Sequence, residues 1–234
     1  MTTLDGPEVV VRLEKVTRIY RHGDIEVRAL QDVDLEIRRG DFAALVGPSG
    51  SGKTTLLNII GGLDTPTSGR VWIGDTEITR LSAAKLADVR LRQIGFVFQE
   101  YNLIPVLSAL ENVEYVMLLQ GVAEAERQQR ALALLKELGL EGMEHRRPAE
   151  LSGGQQQRVA VARAIVSEPL IVLPDEPTAN LDSAAGAALL DLMRSLNERK
   201  GVTFIFSTHD AMVMQRARRI IRMRDGRIVA QELP

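Results

Sequence analysis

The first chemically informative segment is residues 47–54, GPSGSGKT, which fits the pattern G-x-x-x-x-G-K-[ST]. An apolar run at 42–46 precedes it and a predicted helix at 53–60 follows it, which is the strand–loop–helix setting that this pattern requires. Glycines allow the backbone to wrap closely around phosphate groups. The segment therefore predicts a nucleoside triphosphate site, although kinases and GTPases use the same loop.

Each residue of this loop has an expected contact. Lys53 would place a positive charge on the β- and γ-phosphates, and the hydroxyl of Thr54 would ligate Mg²⁺. The start of the helix would add about half a positive charge. The predicted nucleotide contacts are Gly47, Pro48, Ser49, Gly50, Ser51, Gly52, Lys53, Thr54 and Thr55.

Two adjacent acids follow a second apolar run, in the segment LIVLPDE. A carboxylate at the carboxyl end of a strand faces the ligand crevice of an α/β sheet. Asp175 would then hold Mg²⁺ and Glu176 would act as general base toward the attacking water. The alternative is that both acids cap a helix start. Pro174 is unusual here, because proline lacks an N–H and is disfavoured in a central strand.

The segment LSGGQQQR introduces a second possible anion site, about a hundred residues after the first. Its two glycines precede an amphipathic helix, and free N–H groups at a helix start attract phosphate. Ser152, Gly153, Gly154 and Gln155 are the residues that this site would offer. The sequence thus raises the question of which phosphate the second site holds.

Several predicted elements would position these residues. Residues 9–20 and 27–37 read as strands, and short apolar runs predict further strands. A capping-box pattern at Ser108 and Glu111 opens a predicted helix that continues to about residue 120. Two more helices follow, at 124–138 and after Gly154, and Asp225-Gly226 indicates a terminal hairpin. The predicted shorter strands are 42–46, 71–78, 94–98, 170–173, 203–207, 219–223 and 227–231.

This order predicts an α/β protein in which a helical block interrupts a catalytic core. The core would comprise residues 1–99 and 166–234, and the helical subdomain residues 100–165. We expect a single domain, a P-loop NTPase (RecA-like) core with an N-terminal antiparallel β region and an inserted α-helical subdomain.

Composition excludes several classes of protein. The chain has 234 residues and no cysteine, which excludes disulfides and thiolate metal sites. Its formal charge of −2 gives no support to nucleic-acid binding. No apolar run approaches the roughly 20 residues that a membrane helix needs. The first residues do not have the pattern of a signal peptide. We therefore expect any membrane role to act through a partner.

Together, the loop at 47–54, LSGGQQQR and LPDEPTANLD resemble the nucleotide-binding subunit of an ABC transporter over nearly the whole chain. The resemblance implies that Gln99 senses Mg²⁺ and the membrane partner, and that Asp182, in the segment NLD, lies at a dimer interface near nucleotide. It also implies that His209 contacts the γ-phosphate and that Tyr20 stacks on adenine. Packing at the rim of a sheet is the alternative for Tyr20.

The resemblance also answers the question of the second phosphate site. In this family two copies pack head to tail, and LSGGQ of one covers the γ-phosphate held by the other. It implies ATP and Mg²⁺ as cofactors, with Lys53, Gln99, Glu176 and His209 in the catalytic machinery. The implied partners are a second copy of the chain and integral membrane permease subunits, with no nucleic acid. The implied location is the cytoplasmic face of the membrane.

Within the family, the segments IGFVFQEYNLIP and RPAELSGGQQQR look most like the lipoprotein-release and macrolide-export ATPases, with the cell-division type close by. The alternatives are an ATP-gated signalling or scaffold subunit and a polar amino-acid importer ATPase. The apolar Leu103 and Ile104 lie in a predicted loop at 100–105. We expect that loop to dock a short helix of the membrane subunit, the alternative being that both residues pack inside the helical subdomain.

Overall fold

The protein is described here by a computed structural model that covers residues 8–23 and 25–233. The strands in these ranges are β1 (Val9–His22), β2 (Ile25–Arg38), β3 (Phe42–Val46), β4 (Ser68–Ile73), β5 (Thr76–Glu77), β6 (Ile94–Val97), β7 (Ile171–Pro174), β8 (Phe204–Thr208), β9 (Arg219–Arg224) and β10 (Arg227–Glu232). The helices are α1 (Lys53–Ile60), α2 (Ala83–Gln93), α3 (Ala109–Leu119), α4 (Glu124–Glu137), α5 (Gly153–Ile165), α6 (Ser183–Lys200) and α7 (Ala211–Arg216).

The strands form two sheets, as the predicted fold class requires. The larger sheet has the order β10-β9-β3-β8-β7-β6, parallel throughout except for the hairpin of β9 and β10. The smaller sheet has the order β2-β1-β4-β5 and is antiparallel. Every residue of β3 and β8 is buried. Unbroken apolar runs such as FAALV suit strands that are covered on both faces.

One predicted strand proves to be two. Residues 71–78 were predicted as a single strand, but the chain turns at Gly74 and separates β4 from β5. Gly74 has a φ of 53°, in the left-handed region that glycine adopts without strain. Sequence analysis treated the run as continuous because its β-branched residues resume directly after the turn.

The helical block contains α3, α4 and α5, within the predicted bounds of 100–165. The capping box at Ser108 and Glu111 is present: each side chain accepts a hydrogen bond from the other residue's backbone N–H. Residues of the block, such as Val113 and Leu135, belong to the same buried cluster as Phe42 of β3. The helical block therefore shares its core with one face of the large sheet.

Sequence analysis missed two long helices, α2 and α6. Helix α2 is mostly polar: Val89 is its fully buried residue, and Leu86 is partly buried against the core. Helix α6 is rich in alanine and begins after Asp182, whose side chain accepts a hydrogen bond from Ala185 N at 2.8 Å. None of the helices in the described ranges combines the length and apolar character needed to cross a bilayer.

Pro174 lies in a central strand, between β6 and β8. On its β8 side, Val172 N donates to Thr203 O and Glu176 N donates to Ser207 O. In a parallel ladder, every second residue of a strand directs its N–H toward the same neighbouring strand. Residue 174 lies between 172 and 176, so its N–H would also face β8, but proline has none. Strand β7 therefore lacks one bond to β8 immediately before the two acids.

Candidate functional site

The carboxyl edge of the large sheet gathers most of the predicted site residues. The register pairs Val46 with Thr208 and Val97 with Pro174. The residues that follow these four positions, including Gly47, His209 and Asp175, therefore leave the sheet at one edge, where α/β proteins bind ligands. A cleft of about 400 Å³ at this edge is lined by Gly47, Pro48 and His209, among others. A larger cavity, about 660 Å³, lies at Arg39, Pro169 and Gly201 and contains none of the predicted site residues.

Lys53 is enclosed by the loop in which it lies. Its side chain is buried, and Nζ donates to Gly47 O at 2.8 Å and to Pro48 O at 3.1 Å. Helix α1 begins at Lys53, and its N-cap residue, Gly52, has no side chain to bond the first N–H groups. The loop thus holds an ammonium group and free helix N–H groups at one place, which is an arrangement suited to a phosphate.

The backbone of the loop is fixed by distant parts of the chain. A Cβ at Gly47 would collide with Met223 O, and one at Gly52 would lie 2.5 Å from Ala29 O. Ser51 O accepts a hydrogen bond from Gly226 N at 3.1 Å, and Gly226 O accepts one from Gln31 N at 2.8 Å. The loop is therefore clamped between β2 and the terminal hairpin. Ser51 itself is buried, whereas Ser49, Gly50 and Thr54 are exposed.

Asp175 is a partly buried carboxylate at the end of β7. Burial raises the pKa of its carboxyl group above the ordinary value of 3.8; Glu176 raises it further, while Ser207 and Lys53 oppose the rise. Its Oδ1 atom has no hydrogen-bond partner among the described residues. A buried oxygen with no proton donor suits a hard cation such as Mg²⁺, which prefers oxygen ligands.

Glu176 is held by Thr208, the last residue of β8, and by His209, which follows it. Its Oε1 lies 2.7 Å from His209 Nδ1, and its Oε2 accepts a hydrogen bond from Thr208 Oγ1 at 3.4 Å. The Glu176 backbone has a φ of 47°, which costs a non-glycine residue about 1–3 kcal/mol. The Glu176 side chain is largely shielded, whereas the His209 side chain is 76% exposed. This backbone conformation and these two contacts aim the carboxylate, which sequence alone did not reveal.

Gln99 and Asp182 lie in exposed segments near one another. Asn180 Nδ2 donates to Gln99 O at 3.0 Å, so the segment with Asp182 is tied to the turn after β6. The Asp182 carboxylate caps α6 through its bond to Ala185 N. Acids used as helix caps were the alternative considered for Asp175 and Glu176; the structure places that role at Asp182 instead.

The segment LSGGQ forms the start of α5, as predicted. Ser152 is the N-cap residue: its Oγ accepts from Gln155 N at 3.3 Å, and Gln155 Oε1 accepts from Ser152 N at 2.9 Å. Ser152 is exposed. The N–H groups of Gly153 and Gly154 at this helix start thus lie beside an exposed hydroxyl. Among the described residues, no hydrogen bond joins 152–155 to the loop at 47–54.

Tyr20 lies near the end of β1 and is 39% exposed. Its hydroxyl donates to Asp64 Oδ2 at 2.7 Å, and the guanidinium carbon of Arg18 lies 4.5 Å from the ring centroid. Arg18 also pairs with Asp64 at 2.7 Å. The ring is therefore fixed at its hydroxyl end and has a cation over one face; stacking of adenine on it stays a prediction.

Sequence analysis gave no role to Thr208 or to Asp64, which hold Glu176 and Tyr20 respectively. Thr208 adjoins His209 in the segment STHD, so its position was a usable signal. Asp64 is 44 residues from Tyr20, and nothing in the local sequence connects the two.

Comparison with known proteins identifies relatives over nearly the whole chain. The family model described as "ABC transporter" matches residues 30–179. An uncharacterized ABC transporter ATP-binding protein of Thermotoga maritima is 49% identical over 219 residues, covering 94% of this chain and 93% of that protein. The macrolide export ATP-binding/permease protein MacB of Hyphomonas neptunium is 48% identical over 221 residues. That match covers 94% of this chain but 34% of the MacB chain.

A solved structure is similarly close. The dimeric post-hydrolysis state of the ATP-binding cassette MJ0796, bound to ADP and Pi, superposes with a TM-score of 0.87 at 45% identity. The match covers 95% of this chain and 98% of that chain. The curated MJ0796 protein, from Methanocaldococcus jannaschii, is 45% identical over 227 residues.

Proposed function

This chain belongs to the ABC transporter family, as an ATP-hydrolysing nucleotide-binding subunit, and from that membership we propose how it works. It binds Mg²⁺–ATP between two copies of itself and uses the resulting closure to drive a membrane subunit of the macrolide-exporter type. The observation that carries the proposal is the Glu176 carboxylate, held 2.7 Å from His209 beside the partly buried Asp175.

The residues of the site divide the work of phosphoryl transfer to water. Lys53 exchanges its two carbonyl partners for the β- and γ-phosphate oxygens. Glu176 orients the attacking water and accepts its proton, while His209 keeps the carboxylate in place and lies beside the γ-phosphate. Gly47, Gly50 and the first N–H groups of α1 surround the β-phosphate. Tyr20 stacks on the adenine ring of ATP.

Thr54, Asp175 and Gln99 are the ligands that we assign to Mg²⁺. No group of three or more His, Asp or Glu side chains in residues 8–23 and 25–233 forms a metal site by itself. A set of one hydroxyl, one carboxylate and one amide therefore suits an ion that also takes phosphate oxygens and water. When bound, Mg²⁺ neutralises charge that develops on the phosphates.

The site is completed by a second copy of the chain. Ser152, Gly153, Gly154 and Gln155 of the partner subunit cover the γ-phosphate, and Asp182 lies at the same interface. Their position at an exposed helix start, without a hydrogen bond to their own loop, supports this assignment. The dimeric structure of MJ0796 gives a precedent for pairing of such cassettes.

Glu176→Gln tests both the general-base role of Glu176 and the formation of a dimer on ATP. The amide keeps the shape of the carboxylate but cannot accept the proton, so we expect ATP binding without turnover and accumulation of the dimer. In this background, cysteines at Ser49 and Ser152, both exposed, provide a cross-linking test in a chain without native cysteine.

Addition of ATP and a short bis-maleimide should give a covalent dimer on a denaturing gel, and each single-cysteine variant should give far less. A cross-linked monomer, or equal yields without ATP, would contradict the composite site. Unimpaired turnover in Glu176→Gln would contradict the assigned base.

The membrane partner is proposed from the relatives and from one surface of the helical block. MacB relatives are named ATP-binding/permease proteins, and this chain matches only their ATP-binding third. Tyr115, Leu118 and Leu119 of α3, together with Val106, are apolar and at least 39% exposed. Of these four, Tyr115 and Leu118 line a groove of about 630 Å³ between α3 and α4. This groove receives a cytoplasmic helix of the permease and holds the chain at the inner face of the membrane.

The docking contact predicted at residues 100–105 stays a prediction, because Leu103 and Ile104 are only partly buried. Leu103 packs against the core of the helical block, as the alternative reading had it. Ile104 is half-buried, and its backbone is held by the buried Asn112. The exposed apolar surface begins two residues after Ile104, at Val106.

Leu118→Glu tests the groove. We expect the purified variant to keep its ATPase activity and to lose binding to a membrane permease subunit of the macrolide-exporter type, because a charge replaces an exposed apolar contact. Leu132→Glu on α4, also an exposed leucine, is the matched control. Equal loss of permease binding in both variants, or none in either, would rule out this groove.

A further inference from the structure

Arg163, in the last turns of α5, makes an unusual pair of contacts. Its Nη1 donates to Asn102 O at 2.6 Å and its Nη2 donates to Tyr101 O at 2.9 Å. Burial lowers the pKa of the guanidinium from its usual value. No carboxylate of the described residues lies within ion-pair distance of it, whereas most arginines there are ion-paired. The charge of this half-buried side chain is thus satisfied by two backbone carbonyls.

The two carbonyls belong to a strained turn. Tyr101 and Asn102 are consecutive non-glycine residues with φ values of 59° and 47°. The left-handed region is unfavourable for such residues and persists only where surrounding structure enforces it. A planar guanidinium can hold two adjacent acceptors at once, which the single ammonium of lysine cannot do in the same geometry. Arg163 therefore helps to hold this conformation, together with the backbone bonds of Tyr101 N to Phe98 O and of Asn102 N to Glu100 O.

The same turn contacts the other end of α5. A Cβ on Gly153 would lie 2.8 Å from Tyr101 Oη, so the tyrosine ring reaches the start of the helix beside Ser152. Ten residues of helix separate Gly153 from Arg163, a distance of about 15 Å. The turn is thus fixed to α5 at two separated points. Gln99 lies two residues before Tyr101, and its carbonyl is held by Asn180.

We propose that Arg163 is a positioning residue for ATP hydrolysis, which keeps the turn carrying Gln99 in register with Ser152 at the start of α5. The inference rests on the proposed function, because it assumes that Gln99 reaches the Mg²⁺–ATP of its own chain and that Ser152 reaches that of the partner subunit. It gives a physical link between the two: displacement of Gln99 moves Tyr101 and Asn102, and with them the helix whose start covers the second nucleotide.

A double-mutant cycle separates this role from a merely structural one. Arg163→Lys keeps the positive charge but loses the pair of N–H groups that donate to the two carbonyls. We expect kcat to fall about ten- to a hundredfold, as for a misplaced catalytic group, the KM for ATP to change little and the Mg²⁺ concentration for half-maximal activity to rise. In a Gln99→Ala background the same substitution should cause almost no further loss, because residues that act through one another are not additive.

The matched control is Arg158→Lys. Arg158 lies on the same helix and donates to a carbonyl of the helical block, Leu138 O, at 3.4 Å. We expect it to leave kcat unchanged. Thermal unfolding shows whether each variant is folded, and if Arg163→Lys is not, Arg163→Gln replaces it in the same cycle.

The proposal is overturned by unchanged kcat in the Arg163 variant, by equal losses in both lysine variants, or by a loss that persists in full without Gln99. Absence of hydrolysis in the wild-type protein would instead refute the proposed function, so the two failures are distinguishable.

Discussion

At the scale of single residues, Lys53 has no substitute. The other basic groups near the site, such as Arg222 and Arg224, lie on β9 and not in the loop. We expect Lys53→Ala to lower kcat/KM for ATP about a hundredfold or more, as the loss of a group that stabilises developing charge does. Lys85→Ala, an exposed lysine on α2, serves as the control in a phosphate-release assay. Retained hydrolysis in Lys53→Ala would place the nucleotide elsewhere.

Asp175 should cost the ligand-free protein stability at neutral pH. Its pKa is raised by burial, so the folded state disfavours the ionised form, and the penalty is complete above the folded pKa and absent well below 3.8. We expect Asp175→Asn to abolish hydrolysis yet stabilise the ligand-free fold at pH 7, and the gain to vanish as the pH falls toward 3.8.

Asp191 is the control of opposite sign. The guanidinium of Arg216 lowers the pKa of its carboxyl group, so Asp191→Asn should destabilise the protein at pH 7, if it has any effect. Chemical denaturation across pH measures both. If Asp175→Asn is less stable than the wild type, the Asp175 carboxylate stabilises the fold itself, which would contradict its assignment as a site kept free for a cation.

At the scale of secondary-structure elements, Asp182 separates capping from catalysis. Its bond to Ala185 N caps α6, and loss of such a cap costs roughly 1 kcal/mol. We expect Asp182→Ala to lower the melting temperature, and Asp182→Ser, which retains a capping oxygen, to restore it. If Asp182→Ser still hydrolyses ATP normally, the residue is only a cap; if activity is lost while stability is kept, the predicted interface role is supported.

The elements themselves were predictable where the pattern was strong. The buried runs of β3 and β8 and the capping box of α3 were legible because each depends on neighbours in sequence. The effect of Pro174 was not predictable, because it depends on the strand order: β7 has a neighbour on each side, and the missing N–H faces β8. Helix α2 escaped prediction because its sequence is mostly polar and short, with Val89 as its fully buried residue.

At the scale of the whole molecule, the proposed site requires two chains, and complementation tests this. Lys53→Ala keeps an intact LSGGQ, whereas Ser152→Asp keeps a helix cap but sets a negative charge against the γ-phosphate. We expect each variant alone to be inactive and an equal mixture to recover hydrolysis, because a mixed dimer contains one complete site. A mixture as inactive as its components would show that each chain works alone.

The site's general location could be predicted, and its connections could not. The order of motifs along the chain, together with the rule that parallel strands present ligands at one edge, places Lys53, Asp175 and His209 together. The contact of His209 with Glu176 and the hold of Arg163 on the turn depend on side-chain directions between segments far apart in sequence. Such contacts leave no local pattern.

The clamp on the phosphate loop has a consequence for biosynthesis. Gly47 fits beneath Met223 O, and Ser51 O is held by Gly226 N, so the loop at 47–54 is completed by residues that the ribosome adds much later. A ribosome adds about 5–20 residues per second, and during that interval the emerging loop lacks its support. We expect nascent chains arrested before residue 219 to be unable to retain ATP. The loop thus gains its full support only after β9 and the turn at Gly226 have been synthesised.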